Sequence, residues 1–277
     1  MKKTLVYHIY LCDDIDTNKA YRINLECLKY FIHIFDKVIF VNVMDDLSDM
    51  ALRKKGIDFI TEIGYKGDTD IVFRKNTDIG EAATVRDFVF NDYGGIDNDS
   101  AVFFGHTKGV GNFKKNEDND ANRFSMFMWI LVLYFYNFNF INEMEDNFMG
   151  RDTHIKLFHG ALLMNYKNRI VPSIPKFHYS GSFYWLNKPF FKKMGGIKEY
   201  PFSSRYDAEF LPGFYGADDV QGTLFGTHNG QRLVLDEALG AFYSMSQNMW
   251  YDLLDIIGDK ENFLDFKTKI ENIVGEI

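Results

Sequence analysis

The chain has 277 residues, 46% of them hydrophobic and 25% charged, enough for one α/β domain with a sizeable core. Its formal net charge of −8 disfavours broad attraction to nucleic acid or to an anionic membrane and leaves only local basic sites. Its 2 cysteines, Cys12 and Cys27, form neither a disulfide framework nor a zinc pattern and read as reduced thiols of a cytoplasmic protein.

In chain order, Thr4 to Leu11 reads as a first strand rather than a signal peptide, because the apolar run is short, contains His8 and lacks a small-residue cleavage site. Asn18 to Phe35 has helical apolar spacing through Leu25, Leu28, Phe31 and Ile32. Lys37 to Val43 is an apolar run of the kind buried on both faces of a parallel sheet. Leu47 to Lys55 predicts a short helix capped at Gly56, and Asp58 to Ile63 a further strand. Thr84 to Tyr93 reads as a helix stopped by Gly94 and Gly95, and Ser100 to Gly105 as the next buried strand.

This alternation predicts a mostly parallel sheet with helices on both faces. Ligands of such sheets bind beyond the carboxyl ends of the strands, which singles out His8 to Asp14, Val43 to Asp46 and His106 to Gly111. Met126 to Phe140 is too short to span a bilayer and carries Asn137 and Asn139, so it reads as part of a buried helix, Asn122 to Phe140. The second half is loop-rich and glycine-punctuated, with a final helix over Asn262 to Val274. No integral membrane segment is expected.

Three segments carry chemistry. In AVFFGHTKGVGNF, a buried strand delivers His106, Thr107 and Lys108 to its carboxyl edge, and Gly109 and Gly111 allow a tight turn or close ligand approach. Lys108 there faces a diphosphate as a compact cation; the alternative is a solvated loop lysine beside a structural histidine. In HYSGSFYWLNKP, the run Ser180, Gly181, Ser182 between His178, Tyr179, Tyr184 and Trp185 suits a pocket floor with aromatic walls. The alternative is a core strand followed by a helix starting near Pro189. In SSRYDAEFLPGFYGADDVQG, Asp207, Glu209, Asp218 and Asp219 are candidates for a general base, and acids of this kind also stabilise helix N-termini.

Other acidic pairs, such as Asp68 with Asp70, Asp97 with Asp99 and Asp118 with Asp120, lack the spacing of a calcium loop. The 7 histidines are dispersed without a zinc-binding pair, and neither a Walker loop nor a GxSxG elbow is present. The aromatic content of 17% reflects general composition and burial before any role in stacking on sugars or bases.

The order HTKG, a tryptophan-bearing helix (Trp129), HYSGSFYW and RYDAEF resembles a glycosyltransferase-like family of polysaccharide gene clusters, related to rhamnan-synthesis-type proteins. The resemblance runs in scattered blocks from about Leu5 to Gly213. It implies a GT-A-like, Rossmann-like α/β fold over residues 1–277, with a nucleotide-binding half to about 115 and an acceptor and catalytic half from about 116. It also implies a nucleotide-sugar donor held by His8, Tyr10, Asp45, His106, Thr107, Lys108 and Gly109, with Asp46 an alternative to Asp45. A glycan acceptor would lie near His178, Ser180, Gly181, Tyr184 and Trp185, and no nucleic acid partner is expected.

Where that family type commonly ends a strand in Asp-x-Asp holding Mn²⁺ or Mg²⁺, this chain has His106, Thr107 and Lys108. The departure implies either transfer without a metal, Lys108 taking the ion's electrostatic role, or a fold that has kept only carbohydrate binding. Nucleotidyl transfer on a carboxylate-held Mg²⁺ is the other enzymatic alternative. The implied location is the cytoplasm, at or away from the inner face of the membrane.

Overall fold

The computed structural model describes residues 1–91, 95–110, 127, 129–131, 133–135, 137–138, 141–151, 155–165, 177–179, 182–196, 200, 202–214, 221–225 and 260–275. Strand β1 (Lys2–Tyr10) leads into helix α1 (Lys19–Phe31), whose first turn is capped by the Asn18 side chain accepting from the Ala20 amide. Strand β2 (Lys37–Met44), helix α2 (Met50–Ile63) and strand β3 (Asp68–Lys75) follow. Helix α3 (Glu81–Thr84) runs on as a π-helical turn (Val85–Phe90) before strand β4 (Ser100–His106).

Beyond β4, the described residues between 127 and 138 are helical, followed by α4 (Ile141–Met149). Strands β5 (Phe158–Asn165), β6 (Phe177–Tyr179) and β7 (Tyr184–Asn187) precede helices α5 (Lys188–Lys193) and α6 (Asp207–Phe214). Strand β8 (Gln221–Phe225) and helix α7 (Lys260–Gly275) complete the described elements.

The sheet has the order β3-β2-β1-β4-β7-β5-β6, with β8 pairing β5. β3, β2, β1 and β4 are mutually parallel, and β7 joins β4 antiparallel. This is the mostly parallel α/β sheet with flanking helices that the alternating segments predict. Because β1, β2 and β4 are covered on both faces, their side chains form two cores. Leu5, Tyr7, Ile9, Phe40 and Phe103 pack with α1, α2, the 127–138 helix and α7. Val6, Ile39, Val41, Val102 and Phe104 pack with α3, its π-helical extension, α5 and α6. Each such aliphatic or aromatic side chain stabilises the fold by about 1.5–3 kcal/mol of transfer free energy.

Two predicted boundaries are corrected. Gly56 does not end a helix; α2 continues to Ile63 and is capped by Gly64 at φ 75°, so the strand expected over Asp58 to Ile63 is the second half of this helix. Gly56 instead marks close approach: a Cβ there would lie 2.8 Å from Leu11 Cδ1 and 3.0 Å from Asn42 Oδ1. The third strand is β3, displaced toward the C-terminus, where it forms a half-exposed sheet edge rich in charge. Part of the helix predicted over Asn122 to Phe140, together with Gly94 and Gly111, lies outside the described residues.

Candidate functional site

The parallel register sets His8 beside His106 at the carboxyl ends of β1 and β4. The strand order reverses between them, β2 and β3 lying to one side of β1 and β4 to the other, and the carboxyl edge at such a switch point is the crevice where ligands of open α/β sheets bind. The Thr107 amide donates to the His8 carbonyl (2.9 Å) and the Thr107 hydroxyl accepts from the Tyr10 amide (3.2 Å), so the two strand ends are clipped together.

A cleft of about 380 Å³ opens here, within the roughly 300–1,000 Å³ of small-molecule sites. It is lined by His8, Tyr10, His106, Thr107, Lys108 and Gly109 from the predicted strand ends. Gly109, at φ 83°, turns the chain immediately after the lysine in a conformation that a Cβ disfavours. A larger hollow of about 590 Å³ lies between α1, α2 and α7, away from the strand ends. Its charges neutralise one another in part, as in the Lys55–Asp16 pair at 2.7 Å, so the smaller cleft is the better candidate.

His8 is buried, and its Nδ1 lies 2.8 Å from the Thr84 hydroxyl at the junction of α3 with its π-helical extension. Burial lowers its pKa to about 4; Glu81 opposes that shift, and His106 and Arg74 add to it. His8 is therefore a neutral imidazole at pH 7. Tyr10 donates to Asp45 (3.2 Å), and burial, then Asp45, pushes its hydroxyl up to about 12. Asp45 also accepts from Asn76 (2.9 Å), which places it at the cleft rim.

Lys108 is the cleft's most constrained cation. Its side chain is 14% exposed, its ammonium sits 4.4 Å from the centre of the Trp129 ring, and Glu209 Oε1 is 3.8 Å away. Burial lowers its pKa, Glu209 and Glu81 oppose that shift, and Arg205 adds to it. A desolvated ammonium over an indole face is a strong local field source for an incoming anion.

The four acids divide. Glu209 reaches the cleft through Lys108. Asp207, at the start of α6, is buried and accepts from the Tyr200 hydroxyl (2.9 Å) and from the Ser203 and Ser204 amides (2.6 and 2.7 Å). Its carboxylate holds the entry to the helix. Asp218 and Asp219 lie outside the described residues.

The residues of the expected acceptor wall fall in different places. Trp185 is fully buried, stacked on Phe35 at 5.6 Å with its Nε1 donating to the Asn137 carbonyl (3.1 Å). Tyr184 is fully buried on the opposite face, against Phe104 and Phe158. β7 is thus the core strand of the alternative reading, and α5 begins with Pro189 in its first turn. His178 lies on β6, and Ser180 and Gly181 are outside the described residues.

The cleft contains residues that the strand-end rule did not reach: Asn76, Thr77, Asp78, Gly80, Glu81 and Arg205. The first five follow β3, and assigning Asp68–Lys75 as the third strand would have flagged them by the same rule. Arg205 comes from the turn before α6 and has no comparable sequence signal. Among the described residues, no group of three His, Cys, Asp or Glu side chains is arranged to hold a metal ion, and no helix is long and apolar enough to cross a membrane.

No protein-family model matches the chain, and no curated protein matches it. Among solved structures, the crystal structure of S. aureus TarS 1–349 is similar over 100% of this chain and 72% of that one, at 13% identity and a TM-score of 0.36.

Proposed function

We propose that the chain is a glycosyltransferase that moves a sugar from a nucleotide-sugar donor to a hydroxyl of a glycan acceptor, with the donor diphosphate at Lys108. The observation that supports this reading is the convergence of His8, Tyr10, His106, Thr107 and Lys108 in one cleft at the carboxyl ends of β1 and β4. The residues quoted for the family resemblance supply the Lys108 loop, the Trp129 ring beside it and Glu209.

Sugar transfer leaves negative charge on the departing diphosphate, and a preoriented cation is stabilising where that charge develops. Lys108 supplies it from a site where little water competes. His8, neutral, and His106 beside it orient the diphosphate or the donor sugar. Tyr10, Asp45 and Asn76 form the polar rim for the base and ribose. Glu209 is the general base we favour, taking the proton of the acceptor hydroxyl after phosphate oxygens have replaced it beside the lysine. In this reading residues to about 115 bind the donor and those from about 116 complete the acceptor side.

Thermal unfolding with UDP, GDP, CMP and dTDP sugars, each with EDTA and with Mn²⁺, is the first test. A ligand that binds only the native state at ~100 times its Kd adds about 2.7 kcal/mol of apparent stability. A shift that survives EDTA supports Lys108 as the neutralising charge, and one that requires Mn²⁺ moves that role to a carboxylate-held ion. Lys108→Ala should keep the fold and lose roughly 10²-fold or more in turnover. Undiminished turnover overturns the lysine's role, and no shift with any nucleotide sugar overturns the donor.

A further inference from the structure

Asn24 is an unusual residue for the middle of a core-facing helix: it is fully buried on α1 among apolar side chains. A buried amide is costly unless its hydrogen-bonding capacity is met. Here it is. Nδ2 donates to the Ala20 carbonyl one turn back (2.6 Å) and to the Lys108 carbonyl (3.0 Å). Oδ1 accepts from the Tyr7 and Tyr134 hydroxyls, each 3.1 Å away. These hydroxyls also touch one another, so two phenolic protons serve three oxygen contacts.

Tyr7 precedes His8 on β1, and Tyr134 belongs to the helical segment that carries Trp129. The amide therefore joins α1, β1 and the Trp129 segment to the backbone of the cleft lysine. A second α1-side amide works beside it: Asn18 Nδ2 lies 3.4 Å from the Val110 carbonyl. The carbonyls on both sides of Gly109 are thus held by asparagines, and the Thr107 amide is held by the His8 carbonyl. A loop fastened at three successive points has its lysine aimed before any ligand arrives.

We infer that Asn24 is a positioning residue of the cleft: through the Lys108 carbonyl it holds the lysine ammonium over the Trp129 ring at the ligand-facing end of β4. The clamp stands on the contacts of the protein itself, and only its ligand rests on the proposed function. A conformational role predicts that losing the amide releases one loop and leaves the rest of the core in place.

Amine labelling with trace acetic anhydride, read by peptide mass spectrometry, separates these. Lys188 is the internal control: it is buried on the other side of the sheet, with its ammonium donating to the Ile96 carbonyl (2.6 Å). In Asn24→Ala, Lys108 should be acylated about fivefold faster than in the wild type, the scale of one lost hydrogen bond, with Lys188 unchanged. Should that variant fail to fold, Asn24→Ser carries the same test, because its hydroxyl is too short to reach the Lys108 carbonyl. An unchanged Lys108 rate, or a parallel rise at Lys188, overturns the clamp.

The affinity for a nucleotide sugar that stabilises the wild type should fall about tenfold in the variant, mainly through the diphosphate contact. A wild type that binds no nucleotide sugar overturns the donor reading alone, since the labelling ratio still decides the role of Asn24.

Discussion

Asp207 and Glu209 stand two residues apart on α6 and are used differently. Asp207 spends its carboxylate on Tyr200 and on the amides of Ser203 and Ser204, whereas Glu209 reaches Lys108. Asp207→Ala should therefore cost about 1–3 kcal/mol of stability, the penalty for leaving buried donors unsatisfied, measurable as a lower urea midpoint. Glu209→Gln removes the charge beside Lys108 but keeps a polar group there, so it should cost less stability than Asp207→Ala while reducing turnover by roughly 10²-fold or more. The reverse pattern, stability lost at Glu209 and activity lost at Asp207 with the fold intact, would exchange their roles. From sequence the two acids were equivalent candidates, because nothing local distinguishes an acid that holds a helix entry from one beside a cation.

At the scale of elements, α2 shows how a residue with two uses misleads. Glycine commonly follows the last turn of a helix, yet Gly56 lies inside the helix beside Leu11 and Asn42. An alanine in a helix interior ordinarily stabilises by about 1 kcal/mol relative to glycine. Here Gly56→Ala should instead destabilise by about 1–3 kcal/mol, because the new methyl must displace packed atoms. Equilibrium unfolding decides the sign, and a more stable variant would show that the helix shifts freely. β3 carries a weak sequence signal for a related reason. It is a sheet edge with exposed Asp68, Ile71 and Lys75, so it lacks the apolar continuity that made β1, β2 and β4 legible.

At the scale of the whole molecule, two buried histidines tie stability to pH. Burial lowers both His8 and His159 to about 4, while an unfolded chain titrates its histidines near 6.5. Above pH 6.5 neither state binds the extra protons. As pH falls from 6.5 toward 4, the unfolded chain takes them up and the folded one does not, so stability is lost across that window. The loss is roughly 3 kcal/mol at most for each histidine. Urea midpoints should fall steadily from pH 7 to pH 5, and a flat profile would mean that these imidazoles are hydrated in the native state.

What the sequence determined by itself is the class of architecture and the cleft's central residues. Apolar runs buried on both faces identify β1, β2 and β4, and the geometry of parallel sheets assigns their carboxyl ends to ligand contact. His8, Tyr10, His106, Thr107, Lys108 and Gly109 followed from that rule and meet in one cleft. Only the tertiary structure decided which of their neighbours matter. Trp185 and Tyr184 belong to the two cores, Asn76 to Glu81 and Arg205 arrive from other elements, and Asn24 reaches Lys108 across 84 positions of chain. The physical reason is one of range. Periodicity and turn chemistry act between residues a few positions apart, whereas burial, ion pairing and hydrogen-bond satisfaction are fixed by contacts between elements that local patterns do not encode.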